Sequence, residues 1–160
     1  MKRIMQLFSV ILILLSSTQV SAQVQWLEKF DLTQYENKVV YLDFWASWCG
    51  PCRKSFPWLN EMQAKYQDQG LVIIGINLDR DIKNANNFLN TFPANFRLYS
   101  DPQGLLATNY KVVGMPSSYL FSGDGELEES HIGFKKSKQK AYEASIVKLL
   151  QQLPNKQSKD

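Results

Sequence analysis

The chain holds two cysteines, and both stand in one pentapeptide, Trp48-Cys49-Gly50-Pro51-Cys52. Two thiols at this spacing suit disulfide exchange. The thiolate is the attacking form, so the chemistry needs a lowered thiol pKa. The first turn of a helix supplies that lowering, because its unpaired N–H groups and its dipole favour an anion. With two residues between the thiols, Cys52 can reach back and resolve a mixed disulfide formed on Cys49. Pro51 suits the first helical turn, where its missing N–H is not needed. A plain disulfide or half of a metal site is the competing use of such a pair. A bridge closing so short a loop would constrain the unfolded chain little. A metal site would want partner ligands, and the chain has a single histidine, His131.

The elements that must position this pair can be read along the chain. Val39-Val40-Tyr41-Leu42-Asp43-Phe44-Trp45 is an apolar run broken by one carboxylate, which predicts a strand buried on both faces. A helical pattern follows Cys49-Gly50-Pro51, should kink at Pro57, and ends near Gln69 before the helix-stopping Gly70. Leu71 to Asn77 predicts a second buried strand, and Asp81 to Thr91 a helix. Phe96 to Tyr99 predicts a short strand and Pro102 to Asn109 a short helix. Ser117 to Phe121 and Glu126 to Ile132 flank Ser122-Gly123-Asp124-Gly125, a hairpin signal. A last helix over Ser137 to Leu153 carries Tyr142, Ile146, Leu149, Leu150 and Leu153 on one stripe. The lead-in, Gln23 to Asn37, is mixed, with one short strand expected near Phe30-Asp31-Leu32. Strands alternating with helices, then a hairpin and a closing helix, predict a three-layer α/β domain.

Asp43 is the conspicuous charge. A carboxylate inside an apolar strand is costly unless paired or protonated, so burial should raise its pKa. The remaining polar groups carry bland expectations. Lys135, Lys136, Lys138 and Lys140 read as a solvated helix face, Asp79-Arg80-Asp81 as an exposed turn, and His131 as structural. Trp45 is expected to pack, and Trp48 to shield the dithiol and touch substrate.

Length and charge bound the rest. The chain of 160 residues fits one domain. Eighteen Lys and Arg against fifteen Asp and Glu give +3, too small to suggest nucleic acid. Met1-Lys2-Arg3 opens a short basic start, followed by an apolar stretch from Ile4 to Leu15 and small residues at Val20-Ser21-Ala22. This pattern predicts a secretory signal peptide over residues 1–22. The apolar run falls short of the ~20 residues of a membrane-spanning helix, although an uncleaved signal anchor is the alternative. Cleavage before Gln23 would remove Lys2 and Arg3 and no acid, taking +3 to +1. The resulting chain is large enough to fold without a staple.

Asp43-Phe44-Trp45-Ala46-Ser47-Trp48-Cys49-Gly50-Pro51-Cys52-Arg53-Lys54 resembles the active-site strand and helix of the thioredoxin superfamily. Residues 38 to about 150 resemble more specifically the exported TlpA/ResA-type thiol-disulfide oxidoreductases. The resemblance implies a thioredoxin fold over residues 23–160, with its core at about 38–153. That fold is a central mixed sheet flanked by helices, with a TlpA-type N-terminal extension and a strand-and-helix insertion between Ile82 and Tyr99. It implies that Cys49 attacks, Cys52 resolves and Pro116 is a cis proline facing the pair. Ser117 stands where the family commonly has Thr. Met115 would then offer its backbone to an extended substrate, and Trp48, Gly50 and Pro51 would meet it as well. Asp43 would act as the acid/base for Cys52, while Gly75 occupies the place of the lysine partner found in thioredoxin.

The function expected is an exported, periplasmic or extracytoplasmic reductase of protein disulfides, without cofactor or metal. Apocytochrome c thiols are one substrate class that the resemblance suggests. A membrane thiol-electron donor of the DsbD/CcdA kind would supply electrons, and a monomer is expected. A disulfide oxidase or isomerase is the first alternative, since about 30 mV equals only 1.4 kcal/mol. A copper-handling thiol chaperone and a non-enzymatic binding module stand behind it.

Overall fold

The structure is a computed structural model and describes residues 30–154. The expected signal segment 1–22, residues 23–29 of the lead-in and the polar tail 155–160 lie outside the described residues.

Strand β1 (Val39–Trp45) is buried at every position, as its apolar run predicts. Strand β2 (Leu71–Asn77) pairs with it in parallel. Helix α1 (Cys52–Tyr66) makes the crossover between them and continues through Pro57. A 3-10 turn, Gln67–Gln69, then leads to Gly70, whose φ of 111° is a left-handed conformation that stops the helix. Helix α2 (Ile82–Thr91) starts at Asp81, whose carboxylate accepts from the Lys83 N–H. It leads to β3 (Arg97–Ser100), parallel to β2 at one edge of the sheet. These two elements are the strand and helix expected between Ile82 and Tyr99. Helix α3 (Leu105–Asn109) precedes the hairpin of β4 (Ser117–Phe121) and β5 (Leu127–Ile132). Strand β4 runs antiparallel to β1, so the order is β3-β2-β1-β4-β5, a mixed five-stranded sheet. Helix α4 (Gln139–Leu150) closes the chain, with Tyr142, Ile146, Leu149 and Leu150 buried.

Strand alternation sorts the core into two layers. Val39, Tyr41 and Trp45 face α1, α2 and α4, where they meet Phe56, Leu59, Phe88 and Ile146. Val40, Leu42 and Phe44 face the other side with Tyr35, Tyr99 and Phe121. Trp45 packs on Phe56 and Phe88 with ring centroids 4.9 and 5.0 Å apart. It is the packing residue expected.

The lead-in corrects one expectation. No strand forms at Phe30-Asp31-Leu32; a 3-10 turn occupies Leu32–Tyr35 instead. Asp31 accepts hydrogen bonds from the Thr33 N–H at 3.0 Å and the Thr33 hydroxyl at 2.8 Å, so its side chain caps a turn. The apolar neighbours still reach the core. Phe30 sits edge-on to Tyr99, and the Tyr35 and Tyr99 hydroxyls meet at 2.8 Å.

Candidate active site

Cys49 and Cys52 are joined in a disulfide where the β1–α1 loop enters the helix. Cys49 is 3% exposed and Cys52 fully buried, so only the first presents any surface to a partner. The Cys52 N–H donates to Cys49 Sγ at 3.2 Å. An amide of the first helical turn therefore points at the sulfur that would carry charge as a thiolate, and the helix dipole adds to it. Beside it, Trp48 is 67% exposed, and Gly50 and Pro51 also face solvent. A Cβ placed at Gly50 would meet nothing within 4 Å, so the space beside that residue is open.

The loop is held from below by residues that the sequence reading placed outside the site. Asp79, expected in an exposed turn, is only 3% exposed. Its two oxygens accept from the Ser47 hydroxyl at 2.7 Å and the Ser47 N–H at 2.9 Å. Buried Asn77 donates to the same carboxylate at 2.8 Å. A charged acceptor taking three donors overcomes the cost of its burial, and it fixes the backbone two residues before Cys49. Asp81 and Arg80 are exposed, as expected. The available signal was Asn77 at a strand end followed by Asp79, a pair that can close a local turn.

Asp43 lies on β1 between Tyr41 and Trp45, on the sheet face that α1 covers. Its cross-strand partners are Gly75 on β2 and Ser118 on β4. Ser118 donates to Oδ1 at 2.5 Å, and Oδ2 has no hydrogen-bond partner among the described residues. Burial pushes the carboxyl up from 3.8 to about 7, and the Ser118 bond tempers the rise. Gly75, which stands where thioredoxin carries its lysine, is closely packed. A Cβ on Gly75 would come within 2.7 Å of Leu98 Cδ2 and 3.1 Å of the Trp45 indole nitrogen.

The Met115–Pro116 peptide is cis. Met115 packs half-buried against the core layer that contains both cysteines. Pro116 accepts through its carbonyl from the Gly133 N–H at 2.7 Å, and Ser117 Oγ donates to the Gly114 carbonyl at 2.7 Å. His131 is not merely packed. Its ring stacks on Tyr142 at 4.2 Å, and its Nε2 lies 3.1 Å from the Tyr41 hydroxyl.

Comparison with known proteins places this geometry. The AhpC/TSA family model matches residues 17–130. The chain is 33% identical over 100 residues to the thiol-disulfide oxidoreductase ResA of Bacillus thuringiensis subsp. konkukian, covering 62% of this chain and 58% of that protein. To ResA of Bacillus anthracis it is 34% identical over 106 residues, covering 66% and 61%. It thus spans about three fifths of the length of these curated relatives. A Chlorobium tepidum structure assigned as thiol:disulfide interchange protein DsbE superposes with a TM-score of 0.73 at 45% identity, covering 74% of this chain and 84% of that one. An exposed lipoprotein thioredoxin of Streptococcus pneumoniae superposes at 0.65 with 27% identity, covering 75% and 91%. A family model matched over most of the chain and a 45% identical structure covered over most of its own length agree with the sheet order and the Cys-Gly-Pro-Cys helix start: the protein belongs to the AhpC/TSA family of the thioredoxin superfamily.

Proposed function

We propose that the protein is an exported thiol-disulfide oxidoreductase that reduces disulfides in other exported proteins through Cys49 and Cys52. The observation that carries this is the pair itself, bridged at a helix start with the Cys52 N–H on Cys49 Sγ. In the reduced enzyme the Cys49 thiolate attacks one sulfur of a substrate disulfide. That bond breaks, a mixed disulfide forms, and the first substrate thiolate leaves and takes up a proton. Cys52 gives its proton to Asp43 and attacks Cys49 Sγ, forming the bridge described above and releasing the second substrate thiolate. A carboxyl poised near 7 can accept and return that proton at neutral pH. Two electrons from a membrane thiol carrier of the DsbD/CcdA kind restore the dithiol. Pro116 and Met115 support the backbone of an extended substrate, while Trp48, Gly50 and Pro51 form the surface over which it lies.

Reduction is favoured over oxidation by the Gly-Pro spacer, and residues 23–160 form the functional domain after removal of residues 1–22. Export is supported by the basic-then-apolar start and by likeness to a protein named as an exposed lipoprotein. Substrates include apocytochrome c whose disulfide is reduced to the thiols awaiting haem, and the enzyme works as a monomer. A redox titration of the purified protein beside an insulin-reduction assay tests the reading. A reducing potential with insulin turnover supports it, and an oxidising potential without turnover overturns the direction. N-terminal sequencing of the exported protein should read from Gln23.

A further inference from the structure

Asp43 is sealed from solvent, so a proton it exchanges with the outside needs a path through the interior. Three polar side chains run from it toward the open edge of the sheet. Asp43 pairs with Ser118 across β1 and β4, and Ser118 pairs with His131 across β4 and β5. The three therefore form one row on the same face. Tyr41, the preceding position of that face on β1, bridges the row. Its hydroxyl lies 3.1 Å from His131 Nε2, and the Ser118 hydroxyl draws its burial-raised pKa back down. His131 stands on edge strand β5, only partly covered, with its ring flat on Tyr142.

Burying one carboxyl needs one or two donors. Here a hydroxyl, a phenol and an imidazole follow one another, and each can both donate and accept. Resting on the reading of Asp43 as the acid/base for Cys52, we propose that Ser118, Tyr41 and His131 carry protons between Asp43 and solvent. Inward, Ser118 gives its proton to Asp43 Oδ1, Tyr41 replaces it, and His131 replaces that of Tyr41 from Nε2. Solvent then reprotonates the ring. Each step breaks one O–H or N–H bond as it forms another, and no electrons move. With the hydroxyls turned and the other imidazole tautomer present, the same path runs outward. The charged and titratable groups acting on it are Glu129 on β5, Lys138 just before α4 and Tyr142 on α4. All three carriers are positioning residues that act through Asp43.

The test is the rate of the resolving step, Cys52 attack on a Cys49 mixed disulfide, followed by tryptophan fluorescence from pH 5 to 9 in H2O and D2O. Asp43→Asn should slow it about a hundredfold. Ser118→Ala, Tyr41→Phe and His131→Ala should each slow it about tenfold, with an enlarged solvent isotope effect. Ser118→Thr should retain the rate, and added imidazole should restore His131→Ala, which a purely structural role would not allow. Wild-type rates in the Ser118, Tyr41 and His131 variants beside a slow Asp43→Asn would overturn the path and leave the role of Asp43 standing. A slow His131→Ala that imidazole fails to restore overturns the exit at His131. A wild-type rate in Asp43→Asn removes the acid/base reading, and the path with it.

Discussion

Replacing Asp43 by Asn should stabilise the oxidised protein by an amount that grows with pH. The carboxyl ionises near 3.8 in the unfolded chain and near 7 in the folded one, because burial disfavours its charge. Below the first value both states hold the proton and the difference contributes nothing. Between the two values the unfolded chain releases its proton while the folded protein keeps it. Each pH unit in that window therefore subtracts about 1.36 kcal/mol from stability. Above pH 7 both states are ionised, and the accumulated cost, about 4 kcal/mol for roughly three pH units, stays constant. Asn has no proton to lose, and its carbonyl can still accept from Ser118, which sits 2.5 Å from Asp43 Oδ1. The gain in Asp43→Asn should thus rise from near zero at pH 4 to about 4 kcal/mol at pH 8. Urea denaturation at pH 4, 5.5, 7 and 8.5, with the disulfide intact so that no thiol titrates, measures it. A gain that does not change with pH, or one largest at pH 4, refutes the reasoning.

Two further substitutions test the frame around the site. Asp79→Ala strips the acceptor from Ser47 N–H, Ser47 Oγ and Asn77 Nδ2, and should cost about 3 kcal/mol in denaturant unfolding. It should also speed alkylation of reduced Cys49, read by mass spectrometry, because the loop before that residue loses its tether. Gly75→Ala forces a methyl to within 2.7 Å of Leu98 Cδ2 and 3.1 Å of Phe96 and Trp45, and should lower stability by about 1–3 kcal/mol. An unchanged unfolding midpoint in Gly75→Ala would show that this corner of the core is looser than the contacts imply.

What the sequence disclosed follows the range of the physics involved. Local signals sufficed for the main elements. The apolar run of β1, the Asp81 cap of α2 and the Gly70 stop after α1 each act within a few residues. The cysteine pair was legible because its spacing is the chemistry. The strand expected at Phe30-Asp31-Leu32 gives way for a local reason as well: Asp31 caps a turn over Leu32–Tyr35. Asp79 was misjudged because a charged residue after a strand looks solvated. Its partner Ser47 lies 32 residues earlier and is brought there only by the pairing of β1 with β2. The cost of burying Asp43 is legible in its apolar strand, but its partner Ser118 lies 75 residues on. Register across β1, β4 and β5 decides that Ser118 and His131 share its row. No short-range pattern encodes that register.

The central claim is that Cys49 attacks a substrate disulfide and Cys52 resolves the product. Its most direct test is to mix the Cys52→Ser variant with oxidised insulin and identify covalent adducts by mass spectrometry under non-reducing conditions. The account predicts a stable mixed disulfide on Cys49, and no adduct when Cys49→Ser is used instead, since Cys52 is fully buried. The absence of any adduct on Cys49, or equal trapping on Cys52 in the Cys49→Ser variant, would contradict it.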